Sequence, residues 1–446
     1  QWESMNGPYG GFINDLDQNK HFQFAATTNG LYRSANEGQS WNLLQLENGK
    51  SFACLQIGIY GDTIMTDAIN YEGEKVSRYL FRSEDSGETW KQINRPEVDD
   101  YFAIATNGSH IYLSDTYDLW VSVDEGKTWN QSKINTALDR ITSLERFDDR
   151  IYVNEGYHLF LSNGMPDSFD IVDLDTIGYA YTLFASDSLF LVEGNSGKLF
   201  RSIDGGKTWD NPFTGLIGWI SFFKQNNPLF FNSDYTIYKS TDNGFTWKDQ
   251  RTKYLSSLTH QVIATDSAFI GGSMYTGIQS SRNGGKTFED ASYGLSACYA
   301  VSLALHNGRL FASTVYKGIS SFNTEQAAWD INYSLTISSE SISDIAVVGE
   351  NILAATGREI YKSIDNGMNW SNISPDGIYS NPYQFYPYNE LILAGGSTLS
   401  YLIISDADGS SWDRYNIMID GKPFYSYLFA QAENALFVSQ KKVLLR

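Results

Sequence analysis

The sequence predicts an all-β fold, a β-propeller of four-stranded blades. Three observations predict it: a short polar cassette recurs at a near-fixed period, each period divides into four short apolar runs, and no segment sustains helical periodicity. The cassette is complete in KLFRSIDGGKTWDNP, from Lys198 to Pro212. It returns as GLYRSANEGQSWNLL at Gly30, YLFRSEDSGETWKQI at Tyr79 and DLWVSVDEGKTWNQS at Asp118. Further copies are TIYKSTDNGFTWKDQ at Thr236, GIQSSRNGGKTFEDA at Gly277 and EIYKSIDNGMNWSNI at Glu359. Weaker copies start at His158, Gly318 and Leu402. The aligned serines run from Ser34 and Ser83 to Ser363 and Ser405, about 40 residues apart after a first gap of 49.

Each period reads as four strands. In the fourth, ITSLERF (Ile141–Phe147) is followed by a polar turn, then IYVNEG, HLFLS, a degenerate cassette and SFDIV. Short apolar runs separated by Gly, Asn and Asp are strand and hairpin signals. Residues 424–446 supply three strands of a further unit, and Trp2 in QWESMN resembles the tryptophan that follows a cassette. A composite last blade from 424–446 plus 1–6 is therefore expected, closing residues 1–446 into one propeller and leaving no free sheet edge. No Pro/Gly/Ser-rich linker interrupts the series, and the period barely changes through its middle. One large ring of ten or eleven blades is expected, with two smaller propellers as the alternative.

The cassette has a structural reading. The third strand must turn sharply into the fourth, and Gly at position five accepts positive φ without a Cβ penalty. The Asp or Asn at position three is placed to accept bonds from the turn's own N–H groups. These structural positions are Asn36, Asp85, Asp124, Asp204, Asp242, Asn283 and Asp365. The Trp or Phe at position eight is expected to pack back into the sheet as a buried anchor. A calcium-loop reading of Asp406–Gly409 lacks the remaining ligands and the terminal Glu.

This S-x-D-x-G-x-T-W pattern resembles the Asp-box (BNR) repeats of sialidases, xyloglucanase-type glycoside hydrolases, the sortilin propeller and the photosystem-assembly-factor propellers. The resemblance covers nearly the whole chain and implies the fold; unrelated activities share it. The opening GPYGGFINDL followed by FAATTNGLYRS is most similar to the start of xyloglucanase-type and related secreted bacterial propellers. A ten-blade ring would resemble sortilin, and two propellers the xyloglucanases.

Composition narrows the function. The chain has 446 residues and a net charge of −20 spread along its length, which disfavours nucleic acid and anionic membrane surfaces. No apolar run approaches the ~20 residues of a membrane span. The two cysteines, Cys54 and Cys298, form no disulfide framework and read as buried thiols. The acidic balance, the 29 tyrosines and the start at Gln1 point to a secreted or cell-surface bacterial protein with its signal peptide removed.

Catalytic signatures are sparse. The resemblance to sialidases implies an RIP motif and an Arg cluster, and no R-I-P occurs. Arg33, Arg82 and Arg201, each just before a cassette serine, read as structural. Xyloglucanase-type enzymes carry a catalytic Asp between the second and third strands of the first blade; the matching residues here are Thr27, Thr28 and Asn29. Asp67, Glu72 and Glu74, in the longer turn of the second unit, read as solvated loop charges. The five histidines show no metal spacing, and no cofactor motif is present. No catalytic residue, metal ligand or cofactor is assigned.

Aromatics outside the cassette collect on the opposite face, in the turns between second and third strands and in the links between blades. Tyr117, Tyr157, Tyr235 and Tyr316 share a register, with Tyr275 one residue off; the links add Tyr101, Tyr179, Trp219, Tyr254, Tyr293, Tyr379, Tyr383 and Tyr425. The candidate ligand-binding residues are Tyr117, Tyr157, Tyr235, Tyr275, Tyr316 and Trp219. The expected function is a non-catalytic binding or scaffold module for a protein or glycan partner within a surface or secretion assembly. The alternative is a glycoside hydrolase of xyloglucanase-like or sialidase-like type.

Overall fold

The computed structural model describes the chain from Gly10 to Leu445 apart from short stretches, of which the longest are 97–102, 135–139, 215–219, 223–227, 251–258, 331–341, 376–383 and 396–400. Every regular element described is a strand, and ten of the sheets are four-stranded and antiparallel. Each of these sheets is a meander in which consecutive strands pair. This matches the four-runs-per-period reading, and the fold is a β-propeller type.

The chain divides into two compact units, Gly11–Ala297 and a second made of Gln1–Gly10 with Cys298–Arg446. The first holds seven four-stranded blades, at 13–43, 53–93, 103–131, 143–173, 182–214, 220–249 and 259–290. The second holds four-stranded sheets at 300–330, 344–372 and 384–416, a short hairpin at 418–423 and a three-stranded sheet at 428–445. Residues 1–6, expected to complete that last sheet, lie outside the described residues.

The seven-blade unit closes on itself. Each innermost strand packs beside the next, and the innermost strand of the seventh blade packs beside that of the first. Ile13, Leu16, Tyr32 and Trp41 of the first blade share one buried cluster with Ile263, Ile270 and Ile278 of the seventh. Gln18 Nε2 donates to Ala264 O at 2.6 Å across the same seam. The first and seventh blades are thus neighbours within this unit, the arrangement that the alternative of two smaller propellers expects. The repeat period hides this crossing because the same cassette serves whichever blade lies next to it.

The cassettes share one geometry. Ser202 Oγ donates to Asp204 Oδ1 at 2.8 Å and accepts from Gly206 N at 2.8 Å. Asp204 Oδ1 accepts from Thr208 N at 2.9 Å and Oδ2 from Thr208 Oγ1 at 2.7 Å. The same bonds recur around Asp85, Asp124 and Asp242. The serine and backbone bonds recur around Asn36, Asn283 and Asp365, but Asn36 and Asn283 donate through Nδ2 to Ser40 Oγ at 2.8 Å and Thr287 Oγ1 at 2.7 Å, and Asp365 Oδ2 accepts from Asn369 Nδ2 at 2.7 Å. The cassette's own donors thus fill both carboxylate oxygens, and the Thr208 hydroxyl and amide hold the Asp204 carboxyl down at about 2.

Two details depart from the sequence reading. Position four is left-handed as well as position five: Glu37, Ser86, Glu125 and Asn243 have φ of 54°, 56°, 63° and 53°. Most of the tryptophans are only partly buried, and several fold over their own turn; Trp209 Nε1 donates to Gly206 O at 3.0 Å and Trp247 Nε1 to Gly244 O at 3.0 Å.

An arginine beside the cassette serine joins one blade to the next. Arg33 Nη1 donates to Ser86 O at 2.8 Å, Arg82 stands 3.9 Å from Glu125, and Arg201 Nη1 donates to Asn243 O at 3.3 Å. Arg282 of the seventh blade pairs with Glu37 of the first at 3.2 Å. All four reach position four of the following cassette, and the last carries the pattern round the closure. The innermost strands add a second tie. A bulge in the first strand lies between Ile13 and Asp15. Beside it the buried Asp15 carboxylate accepts from Leu16 N at 2.8 Å and from Ile57 N of the second blade at 2.7 Å. Asp344 makes the same bond to Phe385 N at 2.7 Å in the other unit.

Candidate functional site

Closing seven sheets leaves an axial channel. Its upper part, where the innermost strands begin, has a volume of about 330 Å³ and is lined from all seven blades of the unit. Leu16, Ile57, Ile104, Leu144, Leu183 and Ile263 supply an apolar wall, with Asp15, Glu145 and Thr182 among the polar groups. The lower part, about 460 Å³, ends among Lys20, Glu145 and Arg146. Arg146 Nε donates to Ile59 O at 3.0 Å and its guanidinium lies 5.5 Å from the Tyr60 ring centroid. Tyr60 Oη donates to Asp149 Oδ1 at 3.1 Å, a bond that raises the phenol above its ordinary pKa. The lower channel is thus bridged by side chains on the cassette face.

The upper mouth carries an aromatic ladder. Tyr157 and Tyr179 meet edge to face at 5.3 Å and 88°, and Tyr179 and Tyr181 lie 5.1 Å apart at 56°. Tyr157 and Tyr181 are 41% and 37% exposed, enough for ring contact from solvent, and Tyr181 itself lines the upper channel. The local backbone explains the placement. The turn between the second and third strands of the fourth blade holds Tyr157, and the link to the fifth blade holds the other two. Ala180 N donates to Gly156 O at 2.8 Å and Leu174 N to Tyr157 O at 2.9 Å, tying link to turn. Gly156 has φ of 95°, and a Cβ there would lie 2.3 Å from the Tyr179 ring, so this glycine admits the ring. Buried Glu155 pairs with His158 beneath the turn.

The sequence candidates fall unevenly. Tyr157 is in the ladder. Tyr117 is 63% exposed at the same register of the third blade, on a turn where Asp115 Oδ1 accepts from its N–H at 2.8 Å. Tyr235, Tyr275, Tyr316 and Trp219 lie outside the described residues, as do Tyr101, Tyr254, Tyr379, Tyr383 and Tyr425. Tyr181 was missed; its signal was its place two residues after Tyr179 in GYAYTL. Asp67 is corrected: it is a fully buried strand residue 3.6 Å from Arg78, because the hairpin of the second blade continues as strand from Thr63 to Glu72. Thr27 and Asn29 form a tight turn in which Thr27 Oγ1 donates to Gly30 O at 2.9 Å and accepts from Asn29 N at 3.1 Å. Among the described residues no group of three or more His, Cys, Asp or Glu is placed to hold a metal.

No protein-family profile matches the chain, and no curated protein matches it by sequence. Solved structures do match. The chain is 14% identical to the GH74 xyloglucanase of Xanthomonas campestris, with a TM-score of 0.56, covering 100% of this chain and 87% of that one. It is 12% identical to an ancestral GH74 enzyme, with a TM-score of 0.67, covering 98% and 75%. It is 11% identical to PorZ, a surface component of the type-IX secretion system of Porphyromonas gingivalis, with a TM-score of 0.59, covering 97% and 63%. At these identities the likeness is one of fold: a β-propeller whose blades carry the cassette turns.

Proposed function

We propose that the protein is a secreted or surface-exposed binding module that holds a glycan at the upper mouth of the seven-blade channel. The observation that carries this reading is the Tyr157–Tyr179–Tyr181 ladder, three rings in series ending at a cavity of about 330 Å³. Tyrosine faces stack on sugar rings at low conformational cost, and the channel mouth sets polar groups beside apolar side chains, as a ligand site does. The names of structures sharing the fold, two glycan-acting enzymes and a surface component, support a protein that meets polysaccharide outside the cell.

A non-catalytic role is supported by the bonds that occupy carboxylates around the mouth: Glu155 pairs with His158, and Glu193 accepts from Ile220 N at 3.3 Å. Both oxygens of Asp15 accept from backbone amides, which makes it a blade-to-blade tie and a poor base. The test is calorimetric titration with xyloglucan and β-glucan oligosaccharides, run beside a hydrolysis assay on the same substrates. Saturable binding that Tyr179→Ala weakens about tenfold, with no turnover, supports the proposal. Turnover abolished by one Asp or Glu substitution establishes the hydrolase alternative instead.

A further inference from the structure

A second groove, of about 920 Å³, runs between the outer strands of the second blade and the cassette of the third. Its lining differs from the rest of this acidic protein. Arg78, Arg95 and Lys127 contribute three cations, Tyr79, Trp120 and Trp129 contribute three rings, and among the described residues no Asp or Glu lines it. The chain as a whole carries −20. Such a grouping of cations beside half-buried rings is not what solubility alone selects.

The groove is held in shape. Asn94 accepts from Trp129 Nε1 at 3.0 Å through its carbonyl and donates to Lys127 O at 2.8 Å through Nδ2, so one residue fixes both the indole and the lysine's backbone. Arg78 stands 3.6 Å from fully buried Asp67, which anchors the guanidinium from beneath. Lys127 is exposed, and the buried indole Nε1 of Trp120 has no acceptor among the described residues.

We propose that this groove binds a carboxylate-bearing saccharide, such as a uronate oligomer or a sialoside, independently of the channel mouth. The rings take the apolar faces of the sugars, and the cations take carboxylates in charge-assisted bonds. A long polyanionic strand would meet the overall negative field, whereas a short oligosaccharide needs only the local charge.

The test uses the whole chain and three probes: a galacturonate tetramer, its fully methyl-esterified counterpart and sialyllactose. At least one acidic sugar binds saturably, and the ester binds about tenfold more weakly than the acid because it keeps the ring and loses the charge. Lys127→Glu, at an exposed side chain, weakens the acidic sugar about tenfold with no change in melting temperature. Tyr179→Ala leaves this binding unchanged, which separates it from the channel-mouth reading. The proposal is overturned if neither acidic sugar binds, if acid and ester bind alike, or if Lys127→Glu has no effect. Equal binding of hexaglutamate overturns the saccharide assignment in favour of an acidic peptide.

Discussion

The indole N–H of Trp41 donates to the carbonyl of Ala291 at 2.9 Å, joining residues 250 positions apart. Trp41 is 2% exposed, far more buried than its counterparts Trp209 or Trp247, and its own amide donates to Tyr293 O at 2.9 Å. The first cassette's tryptophan has therefore become the fastener that shuts the seven-blade circuit.

Removing it opens the seam. Trp41→Ala is expected to cost about 3–5 kcal/mol, as for other buried aromatic truncations. Trp41→Phe keeps most of the packing and loses the bond, at about 1 kcal/mol. Urea unfolding of the two variants measures both. Equal, small losses from Trp41→Ala and from Trp209→Ala count against a special role at the seam.

Acid stability follows from the cassettes. Asp124, Asp204 and Asp242 are each held down at about 2 by the side-chain and backbone bonds of Thr128, Thr208 and Thr246, from an ordinary value of 3.8. A folded value below the unfolded one means that the unfolded chain binds more protons in between. This contribution is complete above the unfolded pKa and is lost as pH falls from about 4 to about 2. Melting temperature is thus expected to be flat from neutral pH to about 5 and to drop below it. Asp204→Asn, which installs the amide found naturally at Asn36 and Asn283, is expected to shallow the drop.

Backbone chirality supplies another test. Gly206 has φ of 86°, and a Cβ there would lie 2.4 Å from Val172 Cγ1. Gly205 is also left-handed, at 72°, but its Cβ would meet nothing within 4 Å. Gly206→Ala is expected to destabilise by about 2–3 kcal/mol and Gly205→Ala by about 1 kcal/mol, read from thermal melts. The reverse order would mean that strain rather than packing against the neighbouring blade dominates.

Cys54 is fully buried, and burial pushes its thiol up to about 12. In a Cys298→Ser background an aqueous thiol reagent is expected to label it only after denaturation. Prompt labelling in native buffer would show that the second blade's inner strand opens locally.

The blade was legible because its signals are local. Serine, aspartate, glycine and tryptophan within one turn write their hydrogen bonds in adjacent letters, as Ser202 through Trp209 show. The two-unit division was not, since closure depends on pairs such as Gln18 with Ala264 that no local pattern announces. The candidate site was half legible. The shared register of Tyr117 and Tyr157 put aromatics on the correct face, but the meeting of Tyr179 with Tyr157 rests on the missing Cβ of Gly156 and the turn-to-link bonds around it. Asp67 was misread because hairpin length is set by pairing, and Asp67 pairs opposite Leu80 well inside the ladder.

The cassettes spend their polar groups on themselves. Ser202, Asp204 and Thr208 close their bonds within one turn, and Arg201 grips Asp210 of its own sheet while reaching the neighbouring turn on that same side. Foldability is thereby insured on one side of the disc, and the other is free to drift. A lineage can rewrite an exposed turn such as that of Tyr117, and a protein engineer can graft loops there, so long as buried link residues such as Leu174, Ile177 and Ala180 keep the fourth blade against the fifth.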